Sequence, residues 1–332
     1  METPADLPIP LRRLRATLTT PGVREVDPER RGFRPWEAGP SIVAPVGHAF
    51  LDGYRIAMTE RGPAQAARRL DDLPRQWQGF AAEGAAMAIT IRAALEPWSR
   101  HGFATFEAVT EGRHSYMAHV GLGWALARLP RPFWPDLTTL DPAVAPLVLD
   151  GYGFHEVFFH STRTLERRGT GFPEHRWPGG AGAARQSLMQ GIGRGLWFWA
   201  GGSPTGIADV VARFDRRFSG SLWAGTGLAA AYAGGRDRTA LAELLTVAGD
   251  DRRWVRQGAA FAVEARHRAG TVNEHTPVAS AALCGGPVAD VVELVGSCRP
   301  RPADGAPDRT AYESWRRAVA TALEAADDVV GA

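Results

Sequence analysis

The sequence predicts an all-α fold made of about seven tandem helix-pair repeats, and three observations carry that prediction. Glycine-centred segments recur along the chain: "LDGYRIAM", "AEGAAMAI", "HVGLGWAL", "LDGYGFHE", "MQGIGRGL", "WAGTGLAA" and "RQGAAFAV". Their shared glycines, Gly53, Gly84, Gly121, Gly151, Gly191, Gly225 and Gly258, lie 31, 37, 30, 40, 34 and 33 residues apart. That period suits a helix pair. Small residues follow each glycine: two positions on, and again four positions on, six of the seven units carry Gly or Ala. Positions four apart share a helix face, so the units are expected to present a small-residue stripe that lets a neighbouring backbone approach. Finally, no segment alternates apolar and polar residues between turn signals as a sheet would.

The elements follow in order. Residues 1–45 are proline- and arginine-rich, with "LRRLRATL" the one helical pattern, and read as an extended N-terminal arm. Residues 46–297 form the repeat body. Within it, 62–88 parallels 203–230, each reading as turn, apolar helix, break and glycine-centred helix. The widest gap holds "RRGTGFPEHRWPGGAGAAR" (167–185), a loop by its Gly and Pro content. Residues 298–332 comprise a proline-rich linker and a final helix over 309–328, where Tyr312, Trp315, Val319 and Leu323 keep helical spacing. Such units can close into an α/α toroid or continue as an open solenoid.

Composition excludes several chemistries. All 38 basic residues are arginine, so no lysine is present for a Schiff base, a pyridoxal phosphate aldimine or a Walker A loop. The formal charge of +2 gives no reason to expect nucleic acid. The two cysteines, Cys284 and Cys298, lack CxxC spacing. No signal-like segment opens the chain and apolar runs are short. The expectation is a cytoplasmic protein without membrane insertion.

Four segments, "LDGYGFHEVFFH", "HVGLGWALARL", "QGIGRGLWFW" and "WVRQGAAFAVEARHRAGTVNEHT", resemble the UnbL-like family of uncharacterised proteins encoded with enediyne polyketide synthases. The resemblance spans roughly residues 33–280. It implies a role in converting a polyketide-derived polyene into an enediyne core, and it supplies no active-site residues.

Candidate residues come from the pattern itself. In "LDGYGFHEVFFH", His155 and His160 are five apart. On a regular helix that is about 140° around the axis, against about 40° for HExxH, so no metal site is expected. His155 occupies a slot that holds Ala or Gly in the six other units. It either fills a gap at a helix crossing or, with Glu156, performs acid–base work. The residue before the shared glycine is polar in five units: Asp52, Glu83, Asp150, Gln190 and Gln257. These are helix caps or surface groups, or they line a central cavity, where Arg194 could pair with a carboxylate.

"GIGRGL" lacks the GxGxxG spacing of a dinucleotide site. Aspartate-rich cyclase motifs and GxSxG are absent too. Of eleven tryptophans, Trp77, Trp124, Trp223 and Trp254 read as core. Trp197 and Trp199 in "LWFWA", with Tyr152, are placed at an aromatic binding surface. The expected catalytic set is therefore His155, Glu156, Asp150 and Arg194; the expected binding set is Glu83, Gln190, Gln257, Trp197, Trp199 and Tyr152. No cofactor is called for. Two functions compete: binding a conjugated polyene or polyyne and assisting enediyne core formation, or serving as a non-catalytic scaffold or chaperone for other pathway proteins.

Overall fold

A computed structural model describes residues 7–37, 39–170, 180–300, 308 and 310–330. Residues 171–179 of the first expected loop, His175 among them, and 301–307 of the linker lie outside the described residues. Fifteen α-helices are described: α1 (Ile9–Thr19), α2 (Val43–Thr59), α3 (Pro63–Asp71), α4 (Arg75–Leu95), α5 (Gly102–Val109), α6 (Ser115–Arg128), α7 (Leu147–Glu166), α8 (Gly180–Trp199), α9 (Pro204–Val211), α10 (Ser219–Ala233), α11 (Arg238–Ala248), α12 (Arg252–Arg268), α13 (His275–Ala279), α14 (Val288–Ser297) and α15 (Ala311–Val330). No strand occurs among the described residues. The fold is all-α, as its sequence period requires.

The seven glycine segments are the centres of α2, α4, α6, α7, α8, α10 and α12, and these helices pack in that order, each on the next. Neighbours run in the same direction. Near the ends of α2 and α4, Arg92 Nη1 donates to the Ala57 carbonyl at 2.8 Å. Near the ends of α10 and α12, Arg266 Nη2 donates to the Tyr232 carbonyl at 2.6 Å. The short helices α3, α5, α9 and α11 return the chain between successive long ones.

What holds the row together is reciprocal contact of glycine with backbone. A Cβ on Gly153 would overlap the Leu188 carbonyl, and one on Gly191 would overlap the Asp150 carbonyl. Gly193 and Gly225 repeat this against Leu222 and Gln190, and Gly227 and Gly258 against Val255 and Ala224. In every pair, each glycine meets the carbonyl three residues before the other. Such close crossings bring Cα–H groups against carbonyl oxygens, each contact contributing about 0.5–1 kcal/mol. Positions four apart share a face as expected, with Gly191 and Gly195 both against α7 at Asp150 and Val157. The two glycines of G-x-G serve different neighbours, because positions two apart lie about 200° apart around the helix. The first faces the preceding helix and the second the following one.

With both flanks packed, a central helix has no polar side to present. From Ser221 to Ala233, every residue of α10 is buried, the pattern of a helix enclosed on all sides. The row also curls. Phe80 of α4 meets Tyr232 of α10 edge-on at 5.2 Å, and Phe50 of α2 lies 4.8 Å from Trp124 of α6. At the far end, α15 buries Tyr312, Trp315, Val319 and Leu323 and packs Trp315 on Phe261 of α12 at 4.6 Å. Among the described residues no single helix is long and apolar enough to cross a membrane.

Glycines at the crossings and on the surface should respond oppositely to one methyl group. Gly191→Ala or Gly225→Ala should lower unfolding free energy by about 1–3 kcal/mol or more, since backbone must move to admit the Cβ. Gly182→Ala, in α8 with open space around it, should be neutral or stabilise by up to about 1 kcal/mol through helix propensity. Urea denaturation of the three variants checks this.

Candidate functional site

The residues that precede the shared glycines sit mid-helix, so they are not caps. Asp52 is exposed on α2, whereas Glu83, Asp150, Gln190 and Gln257 are buried. Asp150 on α7 and Arg194 on α8 form an ion pair at 2.8 Å. Gln190 Nε2 lies within hydrogen-bonding distance of Asp150 Oδ2 and the Tyr312 hydroxyl, 2.7 Å from each. Gln257 Oε1 accepts from Arg316 Nε at 3.2 Å. The C-terminal helix thus supplies two members, Tyr312 and Arg316, that the repeat register could not announce.

Glu83 on α4 completes the interior group, and burial pushes its carboxyl up to about 8; Arg194 opposes the rise and Asp150 adds to it. Burial raises Asp150 as well, against Arg194 and Gln190. Arg194 acts on both carboxyls, and Arg316 acts on Asp150 as well. Asp150 has the ion pair and an amide donor, while Glu83 Oε1 has no hydrogen-bond partner among the described residues. Glu83 is therefore the protonated one. Cavities of about 20 Å³ flank the group: Phe50, Trp124, Phe154 and Phe198 help line the one at Glu83, while Tyr232, Tyr312 and Trp315 help line the one at Arg194. Each has room for about one water molecule.

His155 and Glu156 form a second, separate group. His155 Nε2 accepts from Arg128 Nε at 3.2 Å, which leaves the proton on Nδ1, facing Glu156 Oε1 at 3.3 Å. Glu156 Oε2 accepts from Arg163 at 2.9 Å. The His155 ring packs on Trp124 and Phe159, 5.6 and 4.7 Å between centroids, and burial lowers its pKa to about 4. It is a neutral imidazole with both nitrogens engaged. A kink at His160, with φ −135° and ψ 37°, brings its ring within 6.0 Å of His155, closer than a regular helix would. No group of three or more His, Cys, Asp or Glu able to hold a metal ion occurs among the described residues.

The aromatic residues expected at a binding surface are dispersed. Trp197 is fully buried, donating to the Gly234 carbonyl at 3.2 Å. Trp199 is half-buried beneath the Arg34 guanidinium, and Tyr152 packs near Trp134 at 6.4 Å.

A cleft of about 1000 Å³ lies elsewhere, and none of the ten expected residues lines it. Its walls are the end of α4 (Ala93, Ala94), α5 (Phe103, Ala104, Glu107), α6 (Ser115, Tyr116, His119, Leu122) and the α6–α7 connection (Phe133, Trp134, Leu137, Leu140), with Arg268 and Arg299 also contributing. It is bordered by a connection that carries only single 3₁₀ turns, 131–133 and 137–139, whereas four other connections carry the outer helices α3, α5, α9 and α11. Pro130, Pro132, Pro135, Pro142 and Pro146 explain this, since proline removes helical N–H donors. That run was the available sequence signal for the cleft.

His119 stands in the cleft wall. It is 3% exposed, and burial lowers its pKa, so it is neutral. Nδ1 lies 2.8 Å from the Ser115 carbonyl, to which it must donate. Nε2 is therefore a bare acceptor, and it is shielded and has no hydrogen-bond partner among the described residues. An unmet buried acceptor costs about 1–3 kcal/mol. Phe103 lies edge-on at 5.3 Å, and the Ser115 hydroxyl donates to Glu107 at 2.7 Å.

A family model described as "Protein of unknown function (DUF1702)" matches residues 10–323. The chain belongs to the DUF1702 family. No curated protein and no solved structure matches it. The match covers α2 to α12 entire, and also the part of α15 that bears Tyr312 and Arg316.

The Glu83 proton in this DUF1702 chain makes stability pH-dependent. Glu83 rises from an ordinary 4.5 to about 8, so the folded state holds the extra proton. Its contribution is full below about pH 4.5 and is lost as pH rises through about 8. Glu83→Gln, permanently neutral, should match the parent near pH 5 and exceed it in stability at pH 9. Urea midpoints from pH 5 to 9 measure the difference.

Proposed function

We propose that this DUF1702 protein binds an elongated, largely apolar small molecule in the cleft between α5, α6 and the α6–α7 connection. The ligand class to which the UnbL-like resemblance points is a conjugated polyene or polyyne, and the role is assistance in forming an enediyne core. The observation that carries the reading is the cleft itself. Its volume of about 1000 Å³ lies at the upper end of small-molecule sites, and Phe103, Leu122, Phe133, Trp134, Leu137 and Leu140 give it an apolar surface for such a ligand beside polar wall residues such as Glu107, Ser115 and Asp136. Two of the cations at its edge are paired, Arg268 with Glu264 and Arg299 with Asp141, which favours an uncharged molecule. The interior group of Glu83, Asp150 and Arg194 then ties α4, whose end forms part of the wall, to α7 and α8.

A second reading, a scaffold for pathway proteins, is favoured by α1. Arg12 and Arg15 dock this helix on the end of α2 through the Thr59 and Met58 carbonyls, and Ile9, Leu11, Leu14 and Leu18 face outward, exposed. An apolar face of this kind suits association with another protein.

Fluorescence titration with the methyl ester of parinaric acid, a conjugated tetraene, separates the readings. Saturable binding is expected, weakened at least tenfold by Ala104→Trp, which fills the cleft from an exposed position. Unchanged affinity in that variant, with its melting curve intact, would remove the cleft from consideration. Replacing Leu11, Leu14 and Leu18 by serine should leave tetraene binding untouched.

A further inference from the structure

We infer that His119 Nε2 is the polar anchor of the cleft, and that its ligand is an apolar chain bearing a hydrogen-bond donor, a hydroxyl group above all. This rests on the cleft being a ligand site. The tautomer is set from within α6: Nδ1 donates to the Ser115 carbonyl one turn back, so the second nitrogen can only accept. Glu107 reinforces this state from α5. Its carboxylate, 3.9 Å from Nδ1, attracts the proton-bearing edge of the ring and is itself held by the Ser115 hydroxyl.

Burial against Phe103 keeps the imidazole neutral rather than a double donor. Nε2 is the atom of this residue without a hydrogen-bond partner, on a side chain that forms part of the cleft wall. Nε2 is shielded in this structure, so the ligand must displace its cover; a hydroxyl that does so would give the lone pair its partner in an apolar setting, where a hydrogen bond is strong. A ketone or an ether would leave it unmet, so the site selects donors over acceptors of the same shape.

The test compares retinol, a conjugated polyene alcohol, with its methyl ether, using the full chain and retinoid fluorescence. Retinol should bind at least about fivefold more tightly than the ether, and His119→Phe should abolish that preference, so that the two retinoids bind equally. A measurement on the unaltered protein stands beside the variant. In ¹⁵N-histidine spectra, the His119 Nε2 resonance should begin at the position of an unprotonated nitrogen. It should then move upfield with retinol and stay in place with the ether. Equal affinity for the two retinoids, or an unmoved Nε2 resonance at saturation with retinol, overturns the anchor while leaving the cleft standing. Binding of neither retinoid overturns the cleft reading and the anchor with it.

Discussion

The contact of glycine Cα with a neighbour's carbonyl is the constraint on which the rest of this molecule depends. It fixes both spacing and register, because only one alignment places each glycine against the carbonyl three residues before its counterpart. Six such crossings link seven helices, with Ala86 standing in for a glycine where α4 meets α6. The approach is so close that little side-chain volume fits between the helices, so the apolar core moves to the inner side of the curl. There Phe50, Phe80, Trp124, Phe154 and Phe198 meet across the row.

That register has an electrostatic consequence. Since equivalent positions of successive helices align, the residue before the glycine recurs at one level of the structure. Glu83, Asp150 and Gln190 consequently converge with Arg194 in a sealed interior. Charges placed there must be paired or protonated, and both occur. The arrangement resembles a functional site in composition, yet its adjoining cavities admit little more than water. Its polar groups instead tie α4, α7, α8 and α15 to one another.

The open volume arises where the repeat is broken. Prolines between α6 and α7 prevent an outer helix of the kind that α3, α5, α9 and α11 supply elsewhere. His119 is at the margin of this break, two residues before Gly121, and its second nitrogen is buried without a hydrogen-bond partner among the described residues. Regular units give the protein its frame, and the irregular one borders its large cleft.

Much of the frame was legible in the chain. The glycine period, the absence of strand patterning and the amphipathic spacing of Tyr312, Trp315, Val319 and Leu323 determined an all-α repeat with a terminal helix packed upon it. Which neighbour each small residue would serve was not legible, because sequence spacing shows which positions are close on one helix and not what each meets. The site was less legible. Asp150 and Arg194 could be paired by position, but His155 drew attention as an exception in its slot, and the fold engages both of its nitrogens. His119 drew none, since a histidine in an apolar run has no distinguishing period. Local sequence determined helices and register because these depend on neighbours a few residues away. Which polar atoms end up satisfied, and where a cavity remains, only the tertiary structure decided, because both depend on side chains brought together from distant helices.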